Sequence, residues 1–333
     1  MGISRFEEGH LLQILRMWNS SVSSGEMLYR KLTEEVFRQK FLGQHGEKDL
    51  LLVAEEAGRV RGFAAGCRQR LFLPGQNEEN TPGYLTMLLV DREARCRGIG
   101  SGLLGRLEEA FRALGKKTLA VSSQNPVNLD WTIPGTPGHE HNNAPGVDEA
   151  GPAYPFLQRR GFIPIAHEAA MYLNLADFHK STAVEEKRSE LRRQGITAGL
   201  YDPALQYEYD GLCDRVRSEY WRKVLQDELS SPKPRPILAA TVPGHIIAFT
   251  GPVDRQENGR GWFTGICTDP LYEKRGIATV LFSDLMEQFI LAGALYSTLF
   301  TGTENHAQRL YSKAGFRPVR HFCIMARQLE EAV

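Results

Sequence analysis

The sequence predicts a chain of the mixed α/β (α+β) class, folded as two copies of one unit. Three observations carry that expectation. "LTMLLVDREARCRGIGSGLLGRLEEAF" from Leu85 and "FTGICTDPLYEKRGIATVLFSDLMEQF" from Phe263 follow one course: apolar strand, polar turn, basic residues, Gly-Ile-Gly or Gly-Ile-Ala, amphipathic helix. "FLQRRGFIPIAHEAAMYLNL" and "LYSKAGFRPVRHFCIMARQL" form a second matched pair. The length, 333 residues with 42% hydrophobic and 24% charged, suits two domains of ordinary globular composition.

The elements follow in order. "DLLLVAEEAGRVRGFAAGCRQRLF" reads as a hairpin turning at Ala57-Gly58, and "PILAATVPGHIIAFTGPV" as its counterpart turning at Pro243-Gly244. Helical patterns precede them, "LTEEVFRQKFL" and "WRKVLQDEL". "STAVEEKRSELRRQG" predicts a charged helix, with Thr182 and Glu185 at capping-box spacing and Gly195 as its stop. The joint is placed near residue 180, giving domains 1–180 and 181–333. Gly98 and Gly276 stand 178 positions apart, Gly161 and Gly315 only 154. The first copy therefore carries about 24 extra residues, an insertion around 125–152.

Bulk properties exclude several classes. Lys+Arg and Asp+Glu are both 40, so no broad charge footprint exists for nucleic acid or an anionic membrane. Five scattered cysteines without C-x-x-C argue against a disulfide framework or zinc knuckle and fit a reducing cytoplasm. No apolar run is long enough to span a bilayer, and the start "MGISRFEEGHLLQILRMW" is not a signal peptide.

Each glycine loop joins a strand to a helix, the context in which successive backbone N–H groups cradle a phosphate. In copy one it is Arg95-Cys96-Arg97-Gly98-Ile99-Gly100, in copy two Glu273-Lys274-Arg275-Gly276-Ile277-Ala278. Neither is followed by Gly-Lys-Ser/Thr and neither is G-x-G-x-x-G. The pattern Arg/Gln-x-x-Gly-x-Gly/Ala after a strand, with a later Tyr-x-x-x-Gly-Phe, resembles the GNAT superfamily of acetyl-CoA-dependent N-acetyltransferases. The resemblance covers both halves. It implies two GNAT-like domains, each a mixed, mostly antiparallel sheet flanked by helices, and acetyl-CoA as co-substrate.

By that resemblance, coenzyme A would meet Leu89, Val90, Arg95, Cys96, Arg97, Gly98, Ile99, Gly100 and Ser101 in copy one. The matching positions of copy two are Cys267, Thr268, Lys274, Arg275, Gly276, Ile277 and Ala278, with Asn305 beyond them. Tyr311, four residues before Gly315, is the expected proton donor to the leaving thiolate; Leu157 stands at its place in copy one. Copy two has Glu273 where the pattern wants Arg or Gln. Neither "GYLTMLL" nor "GWFTGIC" carries an acid to serve as base; Glu55 and Glu56 on the second strand are alternatives, though a solvated turn is the plainer reading of that pair. The implied activity is acetyl transfer to an amine of a small molecule or peptide. Binding or sensing of acyl-CoA without turnover, and a pair of degenerate domains serving as an interaction module, are the other readings.

The insertion contains "PGTPGHEHNNAPGVDEAGP", residues 134–152. His139, His141 and Asp148 could suggest metal ligands, but close-spaced loop histidines are more often hydrogen-bonded, and no metal is expected. The stretch is expected to be a shaped, substrate-facing loop at the carboxyl ends of the strands, with those three residues as acid–base partners.

Overall fold

The computed structural model describes residues 2–202 and 209–329. Copy one runs β1 (Gly2–Arg5), α1 (Leu11–Ser23), α2 (Glu34–Phe37), β2 (Leu51–Glu56), β3 (Arg59–Arg68), β4 (Gly83–Val90), α3 (Ile99–Ala113) and β5 (Thr118–Val121). Short strands β6 (Trp131–Thr132), β7 (Glu140–His141) and β8 (Val147–Asp148) precede α4 (Ala153–Arg159) and β9 (Ile163–Asn174). Copy two runs α5 (Thr182–Arg193), β10 (Thr197–Leu200), α6 (Tyr209–Val216), α7 (Glu219–Leu229), β11 (Leu238–Val242) and β12 (His245–Gly251). It continues through β13 (Asp254–Arg255), β14 (Arg260–Trp262), β15 (Gly265–Thr268), α8 (Ile277–Leu291), β16 (Tyr296–Gly302), α9 (Ala307–Lys313) and β17 (Arg317–Gln328).

The described residues divide into two compact units, and the division is not a single cut. Unit 1 takes the chain up to Ala169 together with the residues from Val319 on; unit 2 is Ala170–Pro318. Most of β17 thus belongs to unit 1, and the end of β9 to unit 2. The sequence places one boundary near 180; the compact units divide after Ala169 and after Pro318, so the ends of the two last strands are exchanged between them.

In unit 1 the ladder β1-β2-β3-β4 is antiparallel and β4-β5 is parallel. β17 lies antiparallel on β5, with Met325 opposite Val121. Alternation along β3 sends Phe63 to one face and Ala64 to the other. On the Phe63 side α1, α2 and the π-helical turn Arg38–Leu42 that follows bury Trp18, Phe37 and Phe41. On the other side α3 buries Leu103, Leu107 and Phe111, joined by Leu157, Phe162 and Met325. The turn between β2 and β3 has Ala57 and Gly58 both at positive φ, the form that matches strand twist.

Unit 2 contains the antiparallel sheet β10-β11-β12-β15. Leu212, Cys213 and Leu225 of α6 and α7 pack with Ala239, Ile246 and Phe249 of its strands. β14 pairs parallel with β16. α5 is capped by Ser181, whose side chain accepts from the Ala183 N–H, so Thr182 is the first helical residue and not the cap. Glu185 is instead paired with Lys180 at 2.8 Å. Among the described residues no helix is long and apolar enough to cross a membrane.

Candidate active site

β4 and β5 of unit 1 pair at Gly83↔Leu119 and Tyr84↔Ala120, then part. A bulge shifts the β3-β4 register between Ala65/Met87 and Gly66/Leu85, leaving Thr86 as the extra residue. From Leu85 to Val90 the strand lines a cleft of about 600 Å³. The glycine loop closes one end of the cleft. The other walls come from the α1-α2 connection, the insertion and the start of α4.

The loop geometry explains its residues. Cys96 and Gly98 are both left-handed, at φ 59° and 83°. Gly98 caps α3, and the first N–H groups of that helix have no intrahelical acceptor. A Cβ built on Gly98 meets nothing within 4 Å, so the space over the loop is open. Leu89, Val90, Arg95, Cys96, Gly98 and Ile99 line the cleft, as do Gly100 and Ser101. Arg97 does not; it reaches back to Glu56 at 2.8 Å. Arg95 donates to Glu26 at 2.7 Å and to the Val90 carbonyl at 3.2 Å, tying the α1-α2 connection to the loop. Glu26 and Tyr29 were not anticipated; nothing in the spacing around them marks a site.

The loop of unit 2 repeats this backbone and differs in its cover. Lys274 and Gly276 are left-handed at φ 60° and 89°. A Cβ on Gly276, however, would stand 2.6 Å from Cδ of Lys187, whose stem lies across the loop from α5. Arg188 and Lys180 pair with Asp284 of α8 and hold α5 there. Arg275 stacks over the Tyr272 ring, 5.1 Å from its centroid. Cys267 is buried, and burial pushes its thiol up. Thr268 and Ala278 are half-buried and Ile277 is buried. Asn305 is exposed and accepts from the Ala307 N–H at the start of α9.

Tyr311 lies in unit 2. Its ring packs 5.1 Å from Phe282 and 6.3 Å from Phe316, and burial pushes the phenol up to about 12. Of the alternative acids, Glu56 is engaged by Arg97 and Glu55 faces His10 at 3.4 Å.

The insertion is a built structure. β6 and β7 form a hairpin with Trp131 opposite His141, and the Ile133 N–H donates to the His139 carbonyl. His141 is buried and stacks on the Trp131 indole at 6.0 Å, so it does not line the cleft as a substrate-facing loop residue would. His139 is also absent from the lining, and burial lowers its imidazole. Asp148 does line the cleft. Both its oxygens are held by Arg320 of β17, at 2.8 and 2.6 Å, because β8 pairs antiparallel with β17. Tyr29 lines the same end; burial, with the Asp148 carboxylate adding to it, pushes its phenol up to about 12.

A family model described as the acetyltransferase (GNAT) family matches this chain twice, over residues 13–130 and 203–316. Glucosamine 6-phosphate N-acetyltransferase 1 of Oryza sativa subsp. japonica is 39% identical over 88 residues, 25% of this chain and 52% of that protein. The match thus spans about half of that relative's length. Among solved structures, a GCN5-related glucosamine N-acetyltransferase region of a fungal multi-domain GH3 beta-N-acetylglucosaminidase has TM-score 0.71 at 15% identity, covering 98% of this chain and 38% of that one. A GCN5-related N-acetyltransferase from Sphaerobacter thermophilus gives 0.60 at 16%, covering 100% and 96%. A tandem GNAT protein from the clavulanic acid biosynthesis pathway gives 0.56 at 13%, covering 100% and 99%. At these identities the structural likeness is one of fold.

Proposed function

We propose that unit 1 of this chain, which belongs to the acetyltransferase (GNAT) family and matches its domain twice, moves an acetyl group from acetyl-CoA to an amine of a small molecule or peptide. One contrast carries the choice of unit: the space over Gly98 is open, and the same space over Gly276 is filled by Lys187.

The residues of unit 1 fit an acyl-CoA. The N–H groups of Ile99, Gly100 and Ser101 at the start of α3 would hold the pyrophosphate, since the helix N-terminus favours anions. Leu89 and Val90 lie on the stretch of β4 that β5 has left, along which the extended pantetheine arm would run, although the Val90 carbonyl is already held by Arg95. An N–H of that edge would stabilise the tetrahedral oxyanion. Acetyl-CoA would supply the acyl group as its thioester; attack by the neutral amine would form the amide and break the carbon–sulfur bond, and the proton that the amine loses would pass to solvent while coenzyme A leaves as its thiolate. Asp148, fixed by Arg320, would orient the amine, and Tyr29, which stays protonated, can donate but not accept a proton at neutral pH. Tyr311 is given no step in this cleft.

The test is a titration of the full chain with coenzyme A, joined to thiol release with an amine panel. Glucosamine 6-phosphate heads the panel because a relative's name carries it. One equivalent bound, with thiol release for some amine, is expected. Two equivalents or none would overturn the assignment to unit 1. Binding with no release for any amine would favour the sensing reading, which draws support from the lack of an acid on β4.

A further inference from the structure

The chain contains no zinc-type spacing, yet the fold brings a carboxylate, an imidazole and a thiol to one point. Oε of Glu149, a ring nitrogen of His167 and Sγ of Cys323 all lie within 4.8 Å of one another. They come from three distant segments: the residue after β8, the first half of β9, and β17. All three belong to unit 1.

The backbone fixes them. β8 pairs with β17 through Val147↔Cys323 and Asp148↔Phe322, and the Glu149 N–H donates to the His321 carbonyl at 3.1 Å. Gly146 lies so close to the Cys323 carbonyl that a Cβ there would be 2.2 Å from its oxygen. Glu149 Oε1 and His167 Nδ1 are already 2.6 Å apart. The Cys323 thiol donates to the Ile324 carbonyl at 3.4 Å, which holds the sulfur on the strand that β8 pairs with. Cys323 is buried, while the His167 side chain is about half exposed, so the point is reachable from solvent.

We propose that Glu149, His167 and Cys323 form a zinc site that clamps the insertion to the terminal strand. Thiolate and imidazole select zinc over magnesium or calcium. Tetrahedral zinc bonds of 2.0–2.3 Å place ligand atoms roughly 3.5 Å apart, within a small side-chain adjustment of the arrangement present. Three protein ligands leave the fourth position to water. On binding, the thiol proton leaves to solvent, the imidazole proton moves to Nε2, and the Glu149 oxygen exchanges its hydrogen bond for the metal. The ion would then steady Asp148, the residue before Glu149, which lines the cleft.

The experiment uses the full chain and zinc alone, measured by competition with a chromogenic chelator, with cobalt substituted to read the ligand set. One tight equivalent is expected, with a thiolate-to-cobalt absorption band. The C323S variant should lose the band. H167Q, at an exposed position where folding is not at stake, should weaken zinc by roughly tenfold or more. Absence of a stoichiometric ion, a cobalt complex without the band, or unchanged affinity in H167Q would overturn the proposal. None of these readouts depends on acetyl-CoA, so the two proposals fail separately.

Discussion

The ring of Phe111 occupies the place of a side chain at Gly83: a Cβ there would stand 2.5 Å from Cδ1 and Cε1. The same contact recurs 178 positions on, where a Cβ at Gly261 would lie 2.7 Å from Cγ of Phe289. Each glycine also takes part in the parallel pairing of its strand, with Leu119 and with Ser297. The repeat is therefore one of packing. G83A should force the Phe111 ring aside and cost about 1–3 kcal/mol, read as a lower midpoint in urea. G105A, in the interior of α3 with nothing within 4 Å, should stabilise by about 0.5–1 kcal/mol in the same assay.

Gly98 and Gly276 should separate function from fold. G98A meets no atom but puts a Cβ at φ 83°, a strain of about 1–2 kcal/mol at the point where amides face the cleft. Coenzyme A affinity should fall, as measured by calorimetry. G276A strains its backbone likewise and collides with Lys187, so it should lower the melting temperature of unit 2 and leave coenzyme A binding unchanged.

Asp148 and Tyr311 give opposite expectations in turnover. D148N keeps the shape of the side chain and removes its charge, and should lower kcat/KM for the amine by about tenfold, some 1.4 kcal/mol. Y311F should leave kcat/KM within about threefold, under ~0.7 kcal/mol, because that phenol packs among phenylalanines of unit 2. A large loss in Y311F with normal melting would return the chemistry to the second copy.

Alkaline pH should destabilise the fold. Burial pushes Tyr29, Tyr84 and Tyr311 up to about 12, against 10 for a free phenol. Between those values the unfolded chain releases protons that the folded chain keeps. Stability therefore falls as pH rises from about 10 to about 12, by about 1.4 kcal/mol per pH unit for each such phenol, and is unaffected by these groups below 10. Absorbance of phenolate followed against circular dichroism should show them ionising together with unfolding.

The insertion should behave as folded chain. Trp131 is 1% exposed, donates to the Asn143 carbonyl at 2.7 Å and meets the Phe322 ring at 5.2 Å. W131A should cost about 3–5 kcal/mol and open residues 134–150 to limited proteolysis, which the native chain should resist.

The sequence alone determined the doubled α/β plan, the two hairpins, both glycine loops and the place of the insertion, because each rests on local periodicity and on backbone angles that glycine permits. Those signals are local, so they reach Gly98 and Gly276 equally. Only the tertiary structure distinguished them, by laying Lys187 across one loop and leaving the other open. It also decided where the last strand goes. "FIPIAHEAAMYLNL" and "RPVRHFCIMARQL" are so alike in length and apolar pattern that alternation fixes which face each buries without fixing which unit it joins. That likeness was the one readable hint of the exchange. The exchange carries Arg320 to Asp148 and Cys323 to Glu149 and His167. Such pairings depend on strand register between distant segments, and no periodicity within either segment encodes it.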